Sequence, residues 1–126
     1  MIVIQNIIND EAIDEEKLKL TCQQFMQEFD VGDSELVVRL VSHVEIQVLN
    51  KEYRSKNQVT NVLSFSSDIS LEIGETILGD VVICVDVVRE EAVLAGKAFS
   101  DHLIHMAIHG ILHLLSYDHD LIILIK

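Results

Sequence analysis

The sequence predicts an α+β (mixed α/β) domain, a small and mainly mixed four-stranded sheet packed with about four to five helices. Three observations predict it. β-Branched runs of strand length alternate with stretches whose apolar residues recur at helical spacing. The chain is 49% apolar but only 5% aromatic, so its core has to be built from Ile, Leu and Val, which serve strands and helices alike. Its 126 residues fit one domain and suffice to bury a core without disulfides, so residues 1–126 read as a single unit.

The elements follow in order. Residues 2–8 are a short β-branched strand. Asp14 is placed to cap a helix whose first turn carries Glu15 and Glu16, where carboxylates oppose the positive end of the helix dipole. That helix should reach about Phe29, with Leu18, Cys22, Phe25, Met26 and Phe29 forming one buried stripe beneath an acidic outer face. Gly32 and Asp33 punctuate, and ELVVRLV is the second strand. Ser42 and Glu45 make an S-x-x-E capping box that opens a second helix with Ile46, Leu49 and Tyr53 turned inward. QVTNVLSF is the third strand, SSDISLEIGE a polar loop ending near Gly74, and TILGDVVIC the fourth strand. VDVVREEAVLAGK is a helix stopped by Gly96 in a left-handed cap. The last helix starts near Ser100, and its apolar residues between Leu103 and Leu115 nearly encircle it, which predicts burial.

Composition narrows the function. Cys22 and Cys84 stand far apart without a CxxC pattern, as expected of reduced core thiols in a cytosolic protein. The first residues lack a basic region and a cleavage site, and the apolar end LIILIK is far shorter than the roughly 20 residues of a membrane span. A cytoplasmic protein with no membrane partner is expected. With 21 acidic and 9 basic residues the net charge is −12, the wrong sign for binding DNA or RNA by bulk phosphate neutralisation. Any polyanion has to be bound locally, and no DNA partner is expected. Lys51, Arg54 and Lys56 concentrate basic charge within one short stretch; a solvated helix end is the alternative reading of the two lysines.

His105, His109 and His113 recur every fourth residue and so share one helix face. Four residues is the spacing at which two imidazoles reach one metal ion, and His119 follows six positions later, far enough for a turn to fold it back. One divalent ion at His109, His113 and His119 is expected, zinc by preference, with other divalent ions open. Neutral imidazoles leave the ion's charge uncompensated, so it can polarise a phosphoryl oxygen and lower the pKa of bound water toward about 7. His105 is open as a fourth ligand, a partner behind the ligands or a substrate contact; the last two are favoured, because a hydrolytic metal keeps one position for water. His43 and His102, standing outside the set, read as buried, hydrogen-bonded core residues. Metzincin peptidases share this ligand spacing but carry Glu directly after the first ligand, where this chain has Gly110. Gly110 either leaves space beside the metal or lets the helix pack closely on the sheet.

HMAIHGILHLLSYDH closely resembles the signature H-x-x-x-H-G-x-L-H-L-x-G-Y-D-H of the YbeY family of bacterial metal-dependent endoribonucleases. LNKEYRSKNQVTNVLSF is similar to the family's L-N-x-x-Y-R-x-K-D-x-P-T-N-V-L-S-F, and LGDVVIC to its L-G-D-[IV]-V-I strand. Together the blocks run from roughly Val38 to His119. The resemblance implies a small mixed sheet with helices and hydrolysis of single-stranded RNA, in rRNA maturation and ribosome quality control. It puts the metal ligands on His109, His113 and His119 and the functional arginine on Arg54, whose guanidinium can grip a phosphodiester bidentately. It also implies contact with small ribosomal subunit proteins through Asp80, which otherwise reads as a polar residue at a strand edge.

Three positions depart from the family pattern. Ser116 replaces a Gly after the metal-binding helix, Val59 replaces a Pro in the loop after Arg54, and LIILIK stands where an acidic segment continues. The C-terminus therefore reads as truncated or frame-shifted, leaving the activity of the chain an open expectation. Two rivals to the nuclease remain: a ribosome-associated factor with a structural metal, and a metallohydrolase acting on another substrate class.

Overall fold

The computed structural model describes residues 1–66, 77–115 and, for the backbone alone, 116 and 122–125. In chain order the elements are β1 (Ile2–Asn6), α1 (Glu15–Glu28), β2 (Glu35–Val41), α2 (His43–Arg54), β3 (Val62–Ser66), β4 (Ile77–Cys84), α3 (Val85–Ala95), α4 (Phe99–Ser116) and β5 (Ile122–Ile125). The sheet order is β1-β2-β4-β3-β5. β1, β2 and β4 run parallel, while β3 is antiparallel to both β4 and β5. The four strands and four helices read in the sequence are present. The C-terminal run adds a fifth strand, whose backbone pairs with Val62–Phe65 and so covers the outer edge of β3.

The helix ends follow side-chain chemistry. Asp14 accepts a hydrogen bond from the Lys17 amide at 3.0 Å, and Ser42 Oγ accepts one from the Glu45 amide at 3.4 Å. Gly96 closes α3 at φ 66°. α2 ends on Ser55 at φ 58°, a left-handed cap without glycine, with Lys51 and Arg54 in its last turn beside the negative end of its dipole.

Strand alternation divides the core in two. Leu36, Val38, Leu40, Val62, Val81 and Ile83 point to the face covered by α1, α3 and α4. Val41, Leu63, Val82 and Cys84 point to the other face, where α2 lays Ile46 and Leu49. Cys22 and Cys84 are both buried, and burial pushes the Cys22 thiol up to about 12 and the Cys84 thiol up as well. Each is a packing residue, not a nucleophile.

Two expectations need correction. Tyr53 is 53% exposed, because α2 overhangs the sheet at its last turn; its ring meets Phe65 edge-on at 5.4 Å between centroids. α4 is not wholly buried either, since the sheet, α1 and α3 enclose only part of it, and His105 and Leu112 lie on an exposed face. Among the described residues no helix is long and apolar enough to cross a membrane.

Candidate active site

The site is built on α4, which is pressed against the sheet at Gly110. A Cβ there would fall 2.5 Å from Val81 Cγ1, 2.9 Å from Cγ2 and 3.2 Å from Ser64 Oγ. The side on which Gly110 lacks a side chain therefore faces the sheet. Close packing of the helix on the sheet is its role. The buried Ser64 hydroxyl donates to the Gly110 carbonyl at 3.2 Å, which fastens α4 to β3 at this point.

The histidines lie along the same helix. His109 and His113 are partly buried and His105 is exposed. His105 Nε2 lies 3.0 Å from His109 Nε2, with the rings nearly perpendicular at 86° and their centroids 4.4 Å apart. One imidazole donates and the other accepts, so one of the two Nε2 atoms is unprotonated and its lone pair is engaged by the other ring. The His105 imidazole is held below its ordinary range, chiefly because neighbouring rings strip part of its hydration, and further by the charges of His109, Lys97 and His102. Its neutral form is the one able to accept a proton or hold a cation.

His102, one turn earlier, is buried and bonds Glu91 Oε1 through Nε2 at 3.0 Å, while His43 is exposed and bonds Asp86 at 2.9 Å. That hydrogen bond from His43 holds the Asp86 carboxyl below its usual range. Both histidines have carboxylate partners, but only His102 is a core residue; His43 lies on the surface at the start of α2, where its ring bonds Asp86 in water, so the core reading is corrected there.

The predicted ligand set is only partly within view. His109 and His113 are one turn apart on α4, whereas His119 lies outside the described residues, as do Asp118 and Asp120. Among the described residues no three ligating side chains converge on one point. A third ligand for an ion at His109 and His113 has to come from beyond α4. The donor types suit a divalent ion, since neutral imidazole nitrogens are good ligands for zinc and His109 and His113 stand one helical turn apart on α4. Ser116 is the last residue of α4, and positive φ outside glycine is confined, among the described residues, to Asn9, Asp30 and Ser55.

Arg54 ends α2 on the opposite face of the sheet from α4. The helix ends nevertheless share one region of β3. α4 runs alongside β3 in the same direction, with Asn61 linked through Glu91 to His102 and Ser64 bonded to Gly110. Three residues of helix rise about 4.5 Å, and a strand rises about 3.3 Å per residue. His113 is therefore level with the Phe65–Ser66 end of β3, and Phe65 is the residue that Tyr53 packs against. Arg54 Nη1 is buried with no hydrogen-bond partner among the described residues. Lys51 and Lys56 flank it, both exposed.

Asp80 pairs in register with Phe65 on this same face and lies 4.0 Å from Arg39. β4 is flanked by β2 and β3, so Asp80 is on an inner strand and not at an edge. Burial raises its pKa, Arg39 lowers it in part, and Glu35 adds to the rise. Ser64, Asn61, Glu91 and Arg39 did not stand out in the sequence. The available signal was two polar residues, Asn61 and Ser64, inside an otherwise apolar run.

The family model for Endoribonuclease YbeY matches residues 3–121. The chain belongs to the YbeY family. It is 56% identical over 119 residues to Endoribonuclease YbeY of Ruthia magnifica subsp. Calyptogena magnifica, covering 94% of this chain and 82% of that one. With Endoribonuclease YbeY of Pseudomonas syringae pv. syringae it is 49% identical over 109 residues, covering 86% of this chain and 65% of the relative. The solution structure of TM1509 from Thermotoga maritima superposes with a TM-score of 0.65 at 30% identity, over 95% of this chain and 75% of that one. The YbeY match takes in all of α4, together with the His109, His113 and His119 positions.

Proposed function

We propose that this chain is an endoribonuclease that hydrolyses single-stranded RNA at one divalent metal ion, zinc by preference, held by His109, His113 and His119. The observation that carries the reading is the YbeY match across residues 3–121, with the histidine helix inside it. The ion, when bound, supplies positive charge that polarises a phosphoryl oxygen and activates water. The remaining work falls to the chain's own side chains. Arg54 grips the phosphodiester: its buried Nη1, without a partner among the described residues, is a donor available to a ligand, and its fork matches two phosphate oxygens. Lys51 and Lys56 extend that grip, which makes RNA binding local in a chain of net charge −12. His105 contacts substrate or transfers a proton, consistent with its neutral imidazole beside His109.

The setting we infer is rRNA maturation in the cytoplasm, with Asp80 meeting a small ribosomal subunit protein. Asp80 is suited to such a contact because its charge is only partly balanced by Arg39 at 4.0 Å. Metal analysis paired with cleavage of single-stranded RNA, with and without chelator, tests the core of the proposal. The wild type should hold about one ion per chain and lose cleavage on chelation, and His113→Ala should lose both ion and cleavage. Cleavage that survives complete metal removal, or a His113→Ala variant with undiminished metal and cleavage, overturns it. Metal retained without cleavage would instead favour a structural ion in a ribosome-associated factor.

A further inference from the structure

The TNVLSF segment buries three polar residues, Thr60, Asn61 and Ser64, and the last two lead to α4. Ser64, fully buried, donates to the carbonyl of Gly110, between His109 and His113. Asn61, also buried, receives the Val62 amide on its Oδ1 at 2.8 Å, which orients its Nδ2 to donate to Glu91 Oε2 at 3.3 Å. The second oxygen of Glu91 bonds His102 Nε2 at 3.0 Å, which sets the His102 ring edge-on to His105 with centroids 5.8 Å apart. His105 in turn meets His109. The anchors at His102 and Gly110 are eight residues apart, about 12 Å along the helix, and bracket His105 and His109.

We infer that Asn61, Glu91 and Ser64 are positioning residues: by fixing α4 at two points they set the rotation and height at which the histidine face presents its ring nitrogens. Packing alone does not account for them. With Nε2–H committed to Glu91, His102 Nδ1 is buried without a partner among the described residues, a cost that an apolar residue at that position would avoid. Ser64 is likewise a hydroxyl in a strand where Val62 and Leu63 bury only hydrocarbon. The anchors also act on different parts of the helix. Ser64 holds its backbone, whereas Glu91 holds a ring, and through that ring the next histidine.

The inference rests on the reading of the histidine face as a metal site, and its test separates the two. Ser64→Ala and Glu91→Gln are compared with wild type in the full chain, first without metal by imidazole nitrogen and proton resonances of His105 and His109, then by titration with zinc or cobalt. Glutamine in place of Glu91 can accept from His102 or from Asn61 but not from both, because one end becomes a donor. Both variants should unfold cooperatively and still show altered His105 and His109 ring resonances, with metal affinity lowered about tenfold, the smaller end of the range for residues supporting a ligand. A loss of packing alone would lower the unfolding midpoint and leave ring resonances and affinity at wild-type values; that result overturns the inference. Should one variant fail to fold, the other decides. A wild type that takes up no metal defeats the proposed function, and the metal-free resonances still decide whether these residues position the rings.

Discussion

The two faces of the sheet are covered in different ways, and the difference separates stability from chemistry. One face is roofed by α1, α3 and α4, whose apolar stripes form the larger core with Leu36, Val38, Leu40 and Ile83. The other carries, among the described residues, mainly α2, a smaller cluster around Ile46 and Leu63 that Val87 of α3 also joins, and the Arg39–Asp80 pair. α4 belongs to the heavily covered face yet turns its histidines outward, so the strongest packing in the molecule supports the site. α2 brings the basic turn of Lys51 and Arg54 to the thinly covered face, where charged groups keep access to water. A ligand face is thus backed by the larger apolar core, while the basic helix end rests on the smaller one and keeps its lysine in water.

The largest expected effect tests that contrast directly. Leu36→Ala, on the heavily covered face, should lower the unfolding free energy by about 2–5 kcal/mol, and Ile46→Ala on the α2 face should fall at the lower end of that range. Urea denaturation of both variants checks it; a larger loss from Ile46→Ala would reverse the ranking of the faces. Gly110→Ala should come next, at about 1–3 kcal/mol, because the β-branched Val81 methyls cannot retreat from a new Cβ. Alanine's better helix propensity, worth about 1 kcal/mol, offsets only part of this. Unchanged stability in Gly110→Ala would show that α4 is free to lift from the sheet.

The smallest effect belongs to Asp80. Its pKa in the fold is raised above the ordinary 3.8, chiefly by burial, so its stabilising share is complete below that pKa and lost as pH rises through the folded value. Asp80→Asn, which cannot ionise, should therefore gain on the wild type between acid and neutral pH. The Arg39 contact, with both side chains more than a third exposed, offsets little of this. Parallel urea curves across that pH range would read the gain. A wild type that instead gains stability over Asp80→Asn with rising pH would show the pair with Arg39 dominating burial.

Much of this fold is legible in the amino-acid sequence. Asp14, Ser42 and Gly96 end their helices as local chemistry requires, because a cap depends on residues three or four apart. The strand runs were equally plain. The turn at Ser55 was not, since a left-handed serine has no signature of its own. The depth of α4 was overestimated because its apolar residues count the same whether they meet the sheet or solvent, and Tyr53 was misplaced for the same reason.

For the site, the spacing of His105, His109 and His113 by itself determined that they share a helix face, because helical geometry follows from sequence separation alone. The family's motifs carried the class of reaction. Tertiary structure decided the rest: that Gly110 touches Val81, that Ser64 holds its carbonyl, and that Asn61 reaches His102 through Glu91. Those contacts join residues 11 to 46 positions apart, and nothing in local spacing specifies which distant side chain will fill a given hydrogen bond or gap once the elements pack.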